Sequence, residues 1–433
     1  MFRAQISTLL GLSVSLHACV IDAERDRLTP LPRARDASLG LESEVDDSVH
    51  HSSAHDSGVN SPDIETITSR DMSVTDSLDA ERSLPDLGDP PQARDMSATT
   101  ALVSCDVVIS FTSPRDESFH DVRDSVPLRG QVETMSGDPV GGQVIQVTDE
   151  RGEVIIELIT DERGVFEGEY TGTSSGLKRL TASPMTEAGR CREMSELNLF
   201  LCGGLVTEDF QDEPRDWTSY GDAIWDPGGW LEMTGVSMDK KGSFYNTAET
   251  ISSGFASIKF TLTTGGGVNS GGDGFAFTIL ELSSVDQLRS LLDVAHSGGG
   301  LGYSMGGRYA HPNIELPGDA LTVEIDTWHN EFNGTNQLHT DPTRENHIAI
   351  TRNADSGDHV VWFEVPNVED LQPHTVQVEL LRDKLRVIYD GRQVIEEEVS
   401  ITFKGGYMFF SGSTGWATNV HRFDDLRILH ACR

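Results

Sequence analysis

The run Val323-Glu324-Ile325-Asp326-Thr327-Trp328-His329-Asn330, followed by Asp341-Pro342 and His347-Ile348-Ala349-Ile350, holds the groups of this chain best suited to chemistry. On a strand, successive side chains alternate, so Glu324, Asp326 and Trp328 are expected on one face: two carboxylates and a large ring in a row. Neighbouring carboxylates repel unless a cation or a proton joins them. Asp341, from a returning loop, and the His347 imidazole, on the next strand, would complete a mixed oxygen and nitrogen shell. Such a shell can hold two ions, a transition metal near His347 and calcium among oxygens alone. An isolated Glu-x-Asp is more often a pair of solvated side chains on an edge strand, so the flanking sequence decides its meaning.

The elements that must position these groups are strands. From Gly203 onward, apolar alternation is clear in residues 256–262, 275–279, 321–327 and 359–365. Residues 374–381, 385–389 and 393–397 form a meander with Arg382-Asp383 and Asp390-Gly391 as turn pairs. One helix is expected, over 285–295, with Ser284 and Gln287 as its capping box and Gly298 as its stop. All six Trp lie in this half, and no Phe, Tyr or Trp occurs between Phe2 and Phe111, so the large core is C-terminal. Residues 203–433 are therefore expected to form an all-β jelly-roll sandwich.

Residues 102–201 carry shorter β-branched runs, at 106–111, 128–134, 143–148, 154–160 and 165–170. Gly152 and Gly164 stand where hairpin turns need positive φ. This spacing indicates a small antiparallel sandwich. It looks like the immunoglobulin-like or carboxypeptidase-regulatory-like spacer modules of bacterial surface proteins, a resemblance carried by Pro139-Val140-Gly141-Gly142 and Thr160-Asp161-Glu162-Arg163-Gly164-Val165-Phe166.

Residues 20–101 read as a disordered acidic linker. Between Val20 and Thr100 there are 18 acidic and 7 basic residues and no aromatic, too little apolar area to offset chain entropy. Residues 1–19 read as an export signal: Arg3, a short apolar run, then Leu16-His17-Ala18-Cys19, which resembles a bacterial lipoprotein box with Cys19 as the lipidated residue. The favoured reading is a bacterial outer-membrane or cell-surface lipoprotein, with simple secretion as the alternative. No later apolar run reaches the roughly 18 residues a membrane helix needs, which leaves a lipid anchor as the one membrane attachment. With 70 acidic against 33 basic side chains and a net charge of −37, nucleic acid is excluded as a partner.

Four cysteines follow Cys19, without the close spacing of a zinc site, and an even number in an exported chain favours disulfides. Of the three pairings, Cys105–Cys191 with Cys202–Cys432 is preferred because each bridge brackets one predicted domain. In a jelly roll the terminal strands commonly lie side by side, which would bring Cys202 to Cys432.

Further motifs flank the acidic run: Gly272-Asp273-Gly274-Phe275-Ala276-Phe277 upstream, then Gly298-Gly299-Gly300-Leu301-Gly302, and Phe410-Ser411-Gly412-Ser413-Thr414-Gly415 near the end. In order and spacing, from about Phe210 to Ile428, they resemble the L-type lectins, the legume-lectin-like family with the concanavalin fold. The resemblance implies a carbohydrate-binding protein that is not an enzyme, with glycans or polysaccharides as partners. It implies Glu324, Asp326, Asp341 and His347 as ligands of a transition metal, usually manganese. It assigns calcium to Asp326 and Asp341 with the Asn330 side chain and the Trp328 main-chain carbonyl. Asp273, Asn330 and the amide of Gly299 would hydrogen-bond a monosaccharide, the Trp328 ring would stack on it, and Gly272-Asp273 would be a cis peptide.

The chain departs from the family's pattern in two places. Ten residues, 331–340, separate Asn330 from Asp341 where the family has three or four, which makes Glu331 or Asn333 possible substitutes for Asp341. Trp416-Ala417-Thr418-Asn419 occupies the loop that sets sugar preference, and Trp416 is open to a role in binding or in core packing. Two rival functions remain. Laminarinase-like glycoside hydrolases place a second catalytic carboxylate in Glu-x-Asp-x-Glu or Glu-x-Asp-x-x-Glu, whereas here Trp328 and His329 occupy those positions. The other rival is a metal-free adhesive sandwich.

Overall fold

The computed structural model of the chain describes residues 102–252, 254–269, 271–305, 319–331 and 340–433. The export signal, Cys19, the acidic linker and Asn333 lie outside the described residues. Nearly all of the regular structure among the described residues is strand, and no described helix is long and apolar enough to cross a membrane.

Strands up to Cys202 build one pair of sheets, of seven and three strands. Gly152 and Gly164 turn their hairpins at φ of +80° and +75°, and Ile109, Val126, Leu128, Ile145, Phe166 and Leu199 fill the space between. The expected antiparallel sandwich needs one correction. Leu102–Val103 pairs with Gly189–Cys191 in parallel, and so does Ser118–Asp121 with Ser195–Cys202. Those strands are joined through long excursions of chain rather than hairpins, and a parallel pair requires such a crossover.

Strands from Gly204 onward build a second, larger sandwich. Its eight-stranded sheet runs Ile224–Asp226, Trp230–Thr234, Val420–His430, Phe255–Gly265, His374–Leu381, Leu385–Tyr389, Arg392–Glu397, with Gly204–Glu208 also on Val420–His430. Its seven-stranded sheet runs Trp217–Gly221, Lys241–Ile251, Gly406–Ser413, Gly274–Glu281, Ala320–Asp326, His347–Arg352, His359–Glu364. Phe260, Phe275, Phe277, Phe410 and Phe423 pack between the sheets. The meander turns as its sequence requires, with Asp390 and Gly391 both at positive φ. Gly204 pairs with His430 at the start of the terminal ladder, which brings the first and last strands of this sandwich together. Cys202–Cys432 closes that junction and Cys105–Cys191 bridges the smaller unit, as the preferred pairing requires.

The one α-helix, Val285–Val294, starts where expected: Ser284 Oγ accepts from the Gln287 amide. The reciprocal half of the box is shifted by one residue, since Gln287 Oε1 accepts from Ser283, amide and hydroxyl. The helix also stops earlier than Gly298. Ala295 is already extended, and Gly298, at φ +63°, instead opens the short 3-10 turn Gly298–Gly300. Leu288, Leu291 and Leu292 of the helix, with Leu301 and Tyr303, cover the outer face of the seven-stranded sheet. That sheet is thereby buried on both sides, and this second covering makes the site possible.

Candidate functional site

Ala320–Asp326 is an interior strand, buried at every position, so the edge-strand reading of its carboxylates falls. Alternation sends Leu321, Val323 and Ile325 into the core between the sheets. Glu324 and Asp326 consequently face the other way, beneath the helical covering. The strand ends at Asp326, so Trp328 is not its third outward residue; it lies in the following bend, tied back by its amide to Asp326 Oδ1 at 2.8 Å. The ladder pairs Asp326 with His347 and Glu324 with Ala349. A methyl group thus stands opposite Glu324, which leaves room above the sheet.

A residue the sequence reading passed over enters that room. In the strand His359–Glu364, Trp362 pairs with Ala349 and Val361 with Ile350, but Thr351 pairs with His359, so Val360 is bulged out of the register. Counting by twos from Trp362 would turn His359 into the core. The bulge reverses this: Val360 and Val361 both pack on the core, and His359 Nε2 lies 2.8 Å from Glu324 Oε1. Glu324 Oε2 accepts from the Tyr303 hydroxyl at 2.6 Å, and that hydroxyl also meets Thr351 Oγ1 at 2.9 Å. Strand alternation alone carries no trace of His359's role, because a bulge is a property of the pairing.

Two sets of ligand atoms converge, each within 4.8 Å: Glu324 with His347 and His359, and Asp326 with Asp341 and His347. The His347 Nδ1 faces the Glu345 carbonyl at 3.2 Å, while its Nε2 is buried without a partner; Asn330 Oδ1 is likewise buried and unpartnered. Burial, reinforced by Asp341 and Glu324, pushes the Asp326 carboxyl far above the ordinary carboxylate range. Asp341 is raised too, first by burial. Burial pulls His347 down. At His359 burial also pulls down, but the hydrogen bond and charge of Glu324 outweigh it and the net shift is upward. Carboxylates that resist ionisation together, beside an unprotonated and unpartnered imidazole nitrogen and an unpartnered amide oxygen, form a donor set that fits divalent cations.

Across the ten-residue loop Asp341 still reaches the cluster. Its carboxylate accepts from the Asn330 amide, and its own amide donates to the Asn330 carbonyl at 3.2 Å, so the loop is clamped at its base. Glu331 is drawn away instead, to Arg344 at 2.6 Å, and is no substitute ligand.

Beside the acidic cluster stands a second constellation. The Gly272-Asp273 peptide is cis. The Thr327 amide donates to the Asp273 carbonyl at 2.8 Å, and the Asp273 carboxylate accepts from the Gly415 amide. Burial raises this carboxyl to about 6, against the lowering effect of Gly415. A Cβ on Gly299 would come within 2.5 Å of Asn330 Oδ1, and one on Gly415 within 2.9 Å of Asp273 Oδ2, so a side chain at either glycine would displace one of these polar groups. Asp273, Gly299, Asn330 and Trp328 are therefore gathered at one place, with Asn330 at its junction with the acidic cluster. The Trp416 ring lies 6.3 Å from that of Trp328 at 74°, and Trp416 is 65% exposed, which removes its core-packing reading.

No protein-family model matches the chain, and no curated protein matches it. Solved structures similar to about half of it include legume-type lectins and the exoplasmic/lumenal domain of VIP36. Lectin II from Ulex europaeus is 19% identical, with 53% of this chain and 98% of that chain covered at a TM-score of 0.42. A lectin from Bauhinia forficata in complex with GalNAc is 20% identical, with 53% and 99% covered and a TM-score of 0.39. The exoplasmic/lumenal domain of VIP36, in its Ca2+/Man3GlcNAc-bound form, is 16% identical, with 52% and 88% covered at 0.39. At these identities and TM-scores the similarity assigns no role to any residue, and the site residues stand on their own geometry.

Proposed function

We propose that the larger sandwich is a lectin whose bound ions fix the groups that touch a sugar. The observation that carries this reading is the position of Asn330. It abuts Gly299 of the turn that flanks Asp273, and it is joined through its backbone to Asp341 of the ion-binding cluster. Asp326, Asp341, Asn330 and the Trp328 carbonyl would hold calcium, and Glu324, Asp326, Asp341 and His347 a transition ion, for which the family resemblance suggests manganese. The ions supply positive charge that lets the buried carboxylates ionise together. The chain's own groups do the recognition. The Asp273 carboxylate accepts from sugar hydroxyls, the Asn330 amide and the Gly299 N–H donate, and the Trp328 ring covers an apolar C–H face. Fixing them beforehand lowers the ordering cost of binding.

Hydrolysis is disfavoured by the same geometry. Glu324 is 1% exposed, with one oxygen bonded to Tyr303 and the other to His359, so it cannot reach a glycosidic bond. Lipidation at Cys19 and the acidic linker would present the module at a bacterial surface.

The test is a glycan array with calcium and a transition ion, repeated in chelator, for wild type, Asp273→Ala and Asn330→Ala. Each substitution should cost about 1–3 kcal/mol, enough to remove a millimolar-class interaction. Unchanged binding in both variants would sink the site. Release of reducing ends from a β-glucan, lost in Glu324→Gln, would make the protein an enzyme.

A further inference from the structure

We propose that His359 is a fifth protein ligand of the transition-metal position, giving a two-imidazole centre selective for a nitrogen-preferring ion such as zinc over manganese. This rests on the ion-organised site proposed above and concerns which ion it takes. The ligand atoms of Glu324, His347 and His359 already lie within 4.8 Å of one another, a spacing that octahedral or tetrahedral ligands around one ion also have. The two imidazole centroids are 6.0 Å apart at 57°, so the rings approach from different directions. Both side chains are more than nine-tenths buried, and the His347 Nε2 has no partner other than what this space would hold. His359 reaches the space only because Val360 is bulged from the ladder. Regular pairing would have turned the imidazole into an apolar core, so the bulge adds one nitrogen donor to a cluster otherwise built on oxygens and His347. Manganese binds weakly at the low end of the divalent series and suits oxygen donors, whereas imidazole suits zinc, copper and nickel. A second nitrogen therefore shifts the preference away from manganese. The oxygen-lined position of Asp326, Asp341 and Asn330 is left to calcium.

The test uses the full chain, stripped by chelator and reloaded with cobalt(II), a spectroscopic stand-in for zinc, in saturating calcium. Contact-shifted, exchangeable imidazole N–H resonances count the ligating histidines. Two are expected in wild type and one in His359→Gln. In competition between equal zinc and manganese, read by elemental analysis, wild type should retain zinc. His359→Gln should lose at least about 100-fold in zinc affinity while its manganese affinity changes less than about threefold. One imidazole signal in wild type overturns the proposal without recourse to the variant, as does an unaltered zinc preference in His359→Gln. Glycan binding with a single imidazole signal sinks this inference alone, whereas two signals without glycan binding in calcium sink the lectin reading and leave the two-imidazole centre standing.

Discussion

Strand Val154–Ile159 of the smaller sandwich alternates between exposed and half-buried positions, whereas Ala320–Asp326 of the larger one is buried at all seven. The difference lies in the second covering. Helix Val285–Val294 and the turn after it roof the outer face of the seven-stranded sheet, and among the described strands of the smaller sandwich no helix does so. The consequence shows in the charges. The one buried carboxylate described in the smaller unit, Asp121, is matched by the Arg123 guanidinium, which holds it below the usual range. In the larger unit Asp326 and Asp341 are buried together, with no Lys or Arg paired to either among the described residues and His329 Nδ1 3.9 Å from Asp341, and both are pushed up. A sheet with one wet face can carry charges cheaply but cannot organise them; a roofed sheet can concentrate donors, at the cost of needing cations to hold them.

The comparison breaks most visibly on chelation. All six Trp lie in the larger sandwich, so their fluorescence reports that unit alone. Two ions at about 1,000 times their dissociation constants contribute roughly 4 kcal/mol each, and chelator should lower the Trp-detected midpoint by more than 10 °C, at about 2–4 °C per kcal/mol. An unchanged midpoint would show that the cluster is not an ion site. The disulfides come next. Cys202–Cys432 spans 230 residues and Cys105–Cys191 spans 86, so Cys432→Ser paired with Cys202→Ser should cost about 4–5 kcal/mol and the other pair slightly less. Denaturant midpoints with Trp detection should move for the first pair and stay nearly fixed for the second.

Acid sharpens the comparison at a buried histidine of the eight-stranded sheet. His421 is fully buried, its Nδ1 bonded to Thr234 Oγ1 at 2.7 Å, and burial lowers it to about 3. Its folded value is depressed below the unfolded one. The stability it contributes is therefore complete above about pH 6.5 and is lost as pH falls toward 3, on the order of 5 kcal/mol in all. In protein measured with chelator throughout, His421→Gln should flatten that decline; a parallel slope in both proteins would refute the assignment. The smallest expected effect is Tyr303→Phe, which removes the hydroxyl that orients Glu324 and should cost about 1 kcal/mol and about 10-fold in transition-metal affinity. Isothermal titration with calcium already bound would detect it, and calcium affinity should be unchanged.

Period-two alternation, turn residues and cysteine spacing are local or nearly local signals, and they determined a great deal. They set two successive all-β units, the helix at 285, the pairing of the four described cysteines, and the placement of Glu324 and Asp326 on one face. The order of the glycine-rich motifs located Asp273, Gly299 and Asn330 through a family resemblance, and their proximity follows from the strands that carry them. Tertiary structure decided the rest. The parallel pairings of the smaller sandwich depend on where distant strands meet, and local alternation does not encode that. Tyr303 reaches Glu324 because the chain after the helix folds over the sheet. The clamp between Asn330 and Asp341 neutralises a long insertion that sequence length alone made threatening. His359 changes faces because the register slips by one residue at Val360. A strand's alternation fixes which residues share a face only while the pairing is regular, and a bulge is chosen by both partner strands and the core they fill.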